Sequence, residues 1–129
     1  NPAARAEKVF FQGETAYAAN DFGKAINLYI QAFDSAVVKN DRKIMSQSVE
    51  GMLSALGQES LSKTTAEKAY VPVYSRFLQV DSKSSRANTI FVKLFNSQYD
   101  AGDISGAEST LSSFAQNFPK DFKTQEGML

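Results

Sequence analysis

Apolar positions recur at three- and four-residue spacing along most of the chain, the period of a helix that buries one face. The first run, over about residues 3–19, places Ala6, Val9, Phe10, Gly13, Ala16 and Tyr17 on one stripe. Asn20-Asp21-Phe22-Gly23 interrupts it, since Asn and Gly form turns and Asp21 can cap the next helix. A second stripe, Phe22, Ala25, Ile26, Tyr29, Ala32, Phe33, Ala36 and Val37, predicts a helix over about 22–38. Two amphipathic helices joined by so short a turn form an antiparallel hairpin.

The same logic continues past the polar break Lys39-Asn40-Asp41-Arg42. Ile44, Met45, Val49, Met52, Leu53, Leu56 and Leu61 predict a third helix over about 43–61. Thr64-Thr65-Ala66-Glu67 has the form of a capping box for a fourth, which carries Ala66, Ala69, Tyr70, Val73, Phe77 and Val80 on one face. Pro72 lies within it and removes a backbone donor, so a kink or a late start is expected there. After the linker at 81–85, Ala87, Ile90, Phe91, Leu94, Phe95 and Tyr99 predict a fifth helix over about 86–101. Gly102-Asp103 turns the chain into a sixth, about 104–117, with Ile104, Ala107, Leu111, Phe114 and then Phe118 before Pro119 stops it. Asp121 or Thr124 would cap a seventh. The expected class is all-α, in one domain over 1–129: hairpins at about 3–38, 43–81 and 86–118, then a partial capping helix from about 122.

The hairpins align on small residues. Gly13 precedes Ala25 by twelve residues, Gly57 precedes Ala69 by twelve, and Phe95 precedes Ala107 by twelve. Val9, Leu53 and Phe91 lie four before the first marker, and Tyr29, Val73 and Leu111 four after the second. Where antiparallel helices cross closely, a small residue lets the partner backbone approach while bulky neighbours fill the flanks.

These residues resemble the tetratricopeptide repeat family. The first hairpin carries the resemblance best, through Gly13, Tyr17, Asp21-Phe22, Ala25-Ile26, Tyr29 and Ala32. The third shares Leu94, Tyr99, Gly102-Asp103, Ala107 and Pro119, and its Phe118-Pro119 ending is similar to repeats of bacterial cell-envelope proteins. The second shares only Leu53, Leu56-Gly57 and Ala69. The leading Trp of the family is absent, Phe95 replaces a small residue, and the marker intervals exceed the family's roughly 34-residue period. The resemblance implies a right-handed α-solenoid of three hairpins with a truncated C-terminal helix. It further implies a concave groove, lined by the first helix of each hairpin, that takes an extended peptide or partner helix. Carried over, the groove positions are Phe10, Glu14, Tyr17, Ser54, Gln58, Leu61, Val92, Asn96 and Tyr99.

Composition narrows the function. The 14 basic and 14 acidic residues cancel, leaving no electrostatic footprint for nucleic acid or a polybasic membrane surface. Cysteine and histidine are both absent, which removes disulfides, thiolate nucleophiles, imidazole bases and the commonest soft-metal ligands. No apolar run approaches the roughly 20 residues of a bilayer span, so no direct membrane insertion is expected. The first residues, Asn1-Pro2-Ala3-Ala4-Arg5, are not a signal peptide, and the ending at Gly127-Met128-Leu129 reads as an excised piece of a longer protein. A soluble chain, periplasmic or cytoplasmic, is expected.

Carboxylates such as Asp34, Glu50, Glu59, Asp100 and Glu108 are scattered over polar helix faces and read as solvated surface. Serines are plentiful but lack a base, and no Ser-x-x-Lys unit or glycine-rich phosphate loop stands out. No enzyme activity and no cofactor is expected. The excess of aromatics, ten Phe and five Tyr, reads mainly as core, with a few as groove anchors. Some family members clamp acidic chaperone tails with Lys, Asn and Arg. Here only Lys93 and Asn96 come near that pattern, while Phe10 and Glu14 stand in the first hairpin. A mostly neutral groove with aromatic anchors suits a less charged ligand. The leading expectation is a non-enzymatic scaffold binding a peptide or partner helix, within a bacterial multiprotein or envelope assembly. The alternative is homo-oligomerisation by end-to-end stacking of hairpins.

Overall fold

The computed structural model describes residues 2–121, with side chains from Ala4 onward. It is all-helical, with no strand among the described residues. Six helices follow in order: α1 Pro2–Ala18, α2 Phe22–Val38, α3 Arg42–Leu56, α4 Lys63–Val80, α5 Ser85–Asp100 and α6 Ile104–Asn117. Residues 119–121 are again helical, with Pro119 as their first residue, where its missing N–H costs nothing. Pro119 therefore opens a helical turn, and Asp121 lies within it rather than capping one. The capping helix expected from about 122, and Thr124, lie outside the described residues. Among the described residues, no helix is long and apolar enough to cross a membrane.

Three of the turns are one device used repeatedly. Asn20 (φ +59°), Asn40 (φ +52°) and Gly102 (φ +82°) adopt the left-handed conformation that Asn and Gly tolerate best. In each turn two N–H groups close the preceding helix. Asn20 and Asp21 donate to Tyr17 and Ala16, Asn40 and Asp41 to Val37 and Ala36, and Gly102 and Asp103 to Tyr99 and Gln98. That is the Schellman closure. The following Asp then caps the next helix: Asp21, Asp41 and Asp103 accept from the N–H of Lys24, Ile44 and Gly106. One Asn-Asp or Gly-Asp dipeptide thus ends one helix and starts the next.

The remaining links are longer. α3 stops at Leu56, with Gly57 as its C-cap, five residues before the expected end. The apolar pattern runs on to Leu61, but Leu61 donates its N–H to Gln58 in a separate turn. α4 begins at Lys63 because Ser62, not Thr64, caps it: the Ser62 Oγ accepts from the Thr65 N–H at 3.2 Å and donates to Thr65 Oγ1 at 2.8 Å. The helix has no late start and runs unbroken through Pro72. Residue 68, whose carbonyl loses its partner at Pro72, is exposed, so water can serve that oxygen. Between α4 and α5, Asp81 Oδ1 accepts from the N–H of Lys83 and Ser84, and the Ser84 Oγ caps α5 at Ala87. The Ser84 hydroxyl and backbone bonds hold the Asp81 carboxyl below the usual range.

Contacts divide the chain into two units, Asn1–Arg76 and Phe77–Leu129. In the first, α2 is central: it packs on α1 and on α3, and α1 also touches α3. Tyr29, Phe33, Val49, Met52 and Val73 are its most deeply buried large side chains. Alanines at 6, 25, 32, 36 and 55 are fully buried, which lets backbones approach. Ser48 is also fully buried, and its Oγ has no hydrogen-bond partner among the described residues. Arg76 reaches Asp34 through two nitrogens, at 2.9 and 3.0 Å. In the second unit α5 packs on α6. Phe91, Phe114 and Phe118 form an aromatic trio with ring centres 5.8 to 6.1 Å apart. The Arg86 guanidinium lies 4.8 Å over the Phe77 ring, a cation–π contact.

Candidate functional site

The first unit holds a cleft of about 500 Å³ between α1 and α3. α1 contributes Phe10, Glu14 and Tyr17 to it, and α3 contributes Ser46, Gln47, Glu50, Gly51 and Ser54. Tyr29 of α2 lines it as well.

Two glycines make this arrangement possible. A Cβ on Gly13 of α1 would stand 2.9 Å from two ring carbons of Tyr29, and one on Gly51 of α3 would stand 2.6 Å from its Cζ. Both helices therefore lie against one tyrosine ring, closer than any side-chain-bearing residue would allow. The ring is only 1% exposed. Its hydroxyl donates to Glu14 Oε1 at 2.5 Å, and burial, then that bond, pushes its pKa well above the ordinary tyrosine value. Phe10 packs on the same ring, with centroids 5.8 Å apart.

One end of the cleft is bolted. The Tyr17 hydroxyl bonds Ser54 Oγ at 2.6 Å and accepts from Gln58 Nε2 at 3.0 Å, while Gln58 Nε2 also donates to the Ser54 carbonyl. The Tyr17 ring meets Phe22 edge-on at 5.1 Å. The Tyr17–Ser54 bond joins α1 to α3 across a separation of 37 residues in sequence. Fixed rings and a fixed carboxylate suit recognition, because little conformational freedom remains to be lost on binding.

The nine positions carried over from the family resemblance divide between the units. Phe10, Glu14, Tyr17 and Ser54 line the cleft together, and Gln58 joins them through Tyr17. Leu61 lies past the end of α3, half-buried in the link to α4. Val92 and Asn96 line a separate apolar pocket of about 90 Å³ in the second unit, with Phe91, Phe95 and Leu111 among its walls. Tyr99 is outside that pocket, exposed and stacked on Phe95 at 5.9 Å.

Tyr29, Ser46, Gln47, Glu50 and Gly51 are not among the expected positions. The available signal is Gly51 itself, an isolated glycine inside a helical pattern, which implies a packing reason. The alignment on Gly57 obscures it. Gly57 is the helix cap, in right-handed conformation, and a Cβ there would meet only carbonyls of its own last turn, at 3.6 and 3.7 Å. The close crossing belongs to Gly51.

No protein-family model matches the chain, and no curated protein or solved structure matches it significantly.

Proposed function

We propose that the chain is a tetratricopeptide-like helical scaffold that binds a peptide or partner helix, without catalysis, in the cleft between α1 and α3. The observation that carries this reading is the cleft's construction. Helices α1 and α3 lie side by side over Tyr29 and present Phe10, Glu14 and Tyr17 from one wall and Gln47, Glu50 and Ser54 from the other. Aromatic anchors with few rotatable bonds, next to a small set of placed polar groups, are the composition of a recognition surface.

Panning a random peptide library with the wild-type protein and a Phe10→Ala, Tyr17→Ala variant tests it. Peptides selected on the wild type should bind the variant at least about tenfold more weakly. Equal affinity for a variant of unchanged far-UV helicity would refute the cleft as the site.

A second reading, self-association, draws on Phe11 of α1 and Val38 of α2, apolar side chains 59% and 72% exposed. Light scattering across concentration distinguishes it, since a self-assembling chain gains mass and a Phe11→Asp variant does not.

A further inference from the structure

We propose that the apolar pocket between α5 and α6 is a binding site for a small neutral molecule carrying a branched alkyl group of about four carbons. The site lies wholly within the second unit and stands independently of the cleft between α1 and α3. Phe91 of α5 and Phe114 of α6, each 4% exposed, form its floor, with their rings edge to face at 5.9 Å. Val92, Phe95 and Leu111 are half-buried and line it nearer the surface. Phe95 also stacks on Tyr99 at 5.9 Å, a contact that fixes one wall.

Polarity selects an apolar occupant over water. An enclosed water needs about two to four polar partners. Thr110 is buried and spends its hydroxyl proton on Gln98 Oε1 at 2.6 Å, while Asn96 is exposed. The interior therefore offers a water little, and an alkyl group gains by entering it. Among the described residues no charged side chain lines the pocket, which favours a neutral ligand. Asn96 lines it from the surface, and its amide both donates and accepts, so a hydroxyl or amide at the outer end of the ligand finds a partner there.

Volume sets the size of the alkyl group. The pocket holds about 90 Å³. An apolar cavity of about 150 Å³ takes benzene, or about 25 Å³ for each carbon. On that scale the pocket takes about three to four carbons. An isobutyl group fits, and a phenyl ring does not.

The test titrates ethanol, 2-methylpropan-1-ol and benzyl alcohol separately into the full chain, with affinities read from the amide chemical shifts of residues 91–96 and 110–114. 2-Methylpropan-1-ol should bind at least about tenfold more tightly than ethanol, since each further buried carbon contributes about fourfold. Benzyl alcohol is more apolar, yet it should bind more weakly than 2-methylpropan-1-ol because its ring exceeds the space. Leu111→Ala removes three side-chain carbons and enlarges the pocket by about 75 Å³, enough for a ring, so the order of the two alcohols should reverse. Leu111→Phe fills the space and should abolish the shifts. The wild-type series decides even where a variant fails to fold. Absence of shifts at saturating 2-methylpropan-1-ol, tightest binding of benzyl alcohol by the wild type, or an unchanged order in folded Leu111→Ala would each overturn the site and leave the cleft between α1 and α3 untouched.

Discussion

Replacing Gly51 by alanine measures how closely α3 approaches α2. The new Cβ would lie 2.6, 2.7 and 2.8 Å from Cζ, Cε2 and Cε1 of Tyr29. Favourable carbon contacts begin near 3.5 Å, so ring or helix must move by about 0.9 Å. The ring cannot swing away, because a Cβ on Gly13 would already lie 2.9 Å from Cδ1 and Cε1. Its hydroxyl is also tied to Glu14. Overpacking at such a site costs about 1–3 kcal/mol. Against this, alanine in place of glycine within a helix returns about 1 kcal/mol. A net loss of up to about 2 kcal/mol is expected, read as a lower urea midpoint by far-UV circular dichroism. Tyr29→Leu removes the three clashing atoms, so Gly51→Ala should become neutral or stabilising in that background. The double-mutant cycle should then show a coupling of about 2 kcal/mol. Gly57→Ala is the control, since its Cβ meets only atoms at 3.6 Å or beyond, and it should be neutral or slightly stabilising. If Gly51→Ala stabilises the wild type and the cycle is additive, the sandwich of Tyr29 between two glycines is wrong.

Ser48→Ala removes a buried hydroxyl that has no partner among the described residues, so the variant should equal or exceed the wild type in stability, by up to about 1 kcal/mol; a clear loss of urea resistance would show that Ser48 is satisfied. Asp41→Ala deletes the acceptor that caps α3 at Ile44 and should cost about 1 kcal/mol, lowering the thermal midpoint without changing helix content of the folded state. In alkali, the raised pKa of Tyr29 means that the folded state keeps its proton while the unfolded state releases it at the ordinary value near 10. That stabilisation is complete below pH ~10 and declines as pH rises above it. Tyr29→Phe should therefore flatten the alkaline fall in stability, and an unchanged slope would remove Tyr29 as its source.

Helix boundaries were legible wherever one dipeptide controlled them. The bounds expected for α2 and α6, about 22–38 and 104–117, coincide with those found because Asn20-Asp21, Asn40-Asp41 and Gly102-Asp103 combine a left-handed residue with a cap. The α3–α4 link was harder to place. Leu61 continues the apolar period although it packs from a turn, and both Ser62 and Thr64 could cap, so only the folded geometry selects Ser62. Of the cleft, the α1 wall was legible through the family resemblance, which implies Phe10, Glu14 and Tyr17 as groove positions. The α3 wall was displaced, because registering that helix on Gly57 concealed Gly51 and left Glu50 among surface carboxylates. Which glycine faces a neighbouring ring depends on the pairing of helices, and local periodicity carries no such information.

Amide chemical-shift mapping on titration with a peptide selected from the random library tests the central claim most directly. The largest changes are expected along residues 10–17 of α1 and 46–54 of α3, with Phe10→Ala, Tyr17→Ala weakening them. Largest changes around Phe95 and Leu111, or none at saturating peptide, would contradict it.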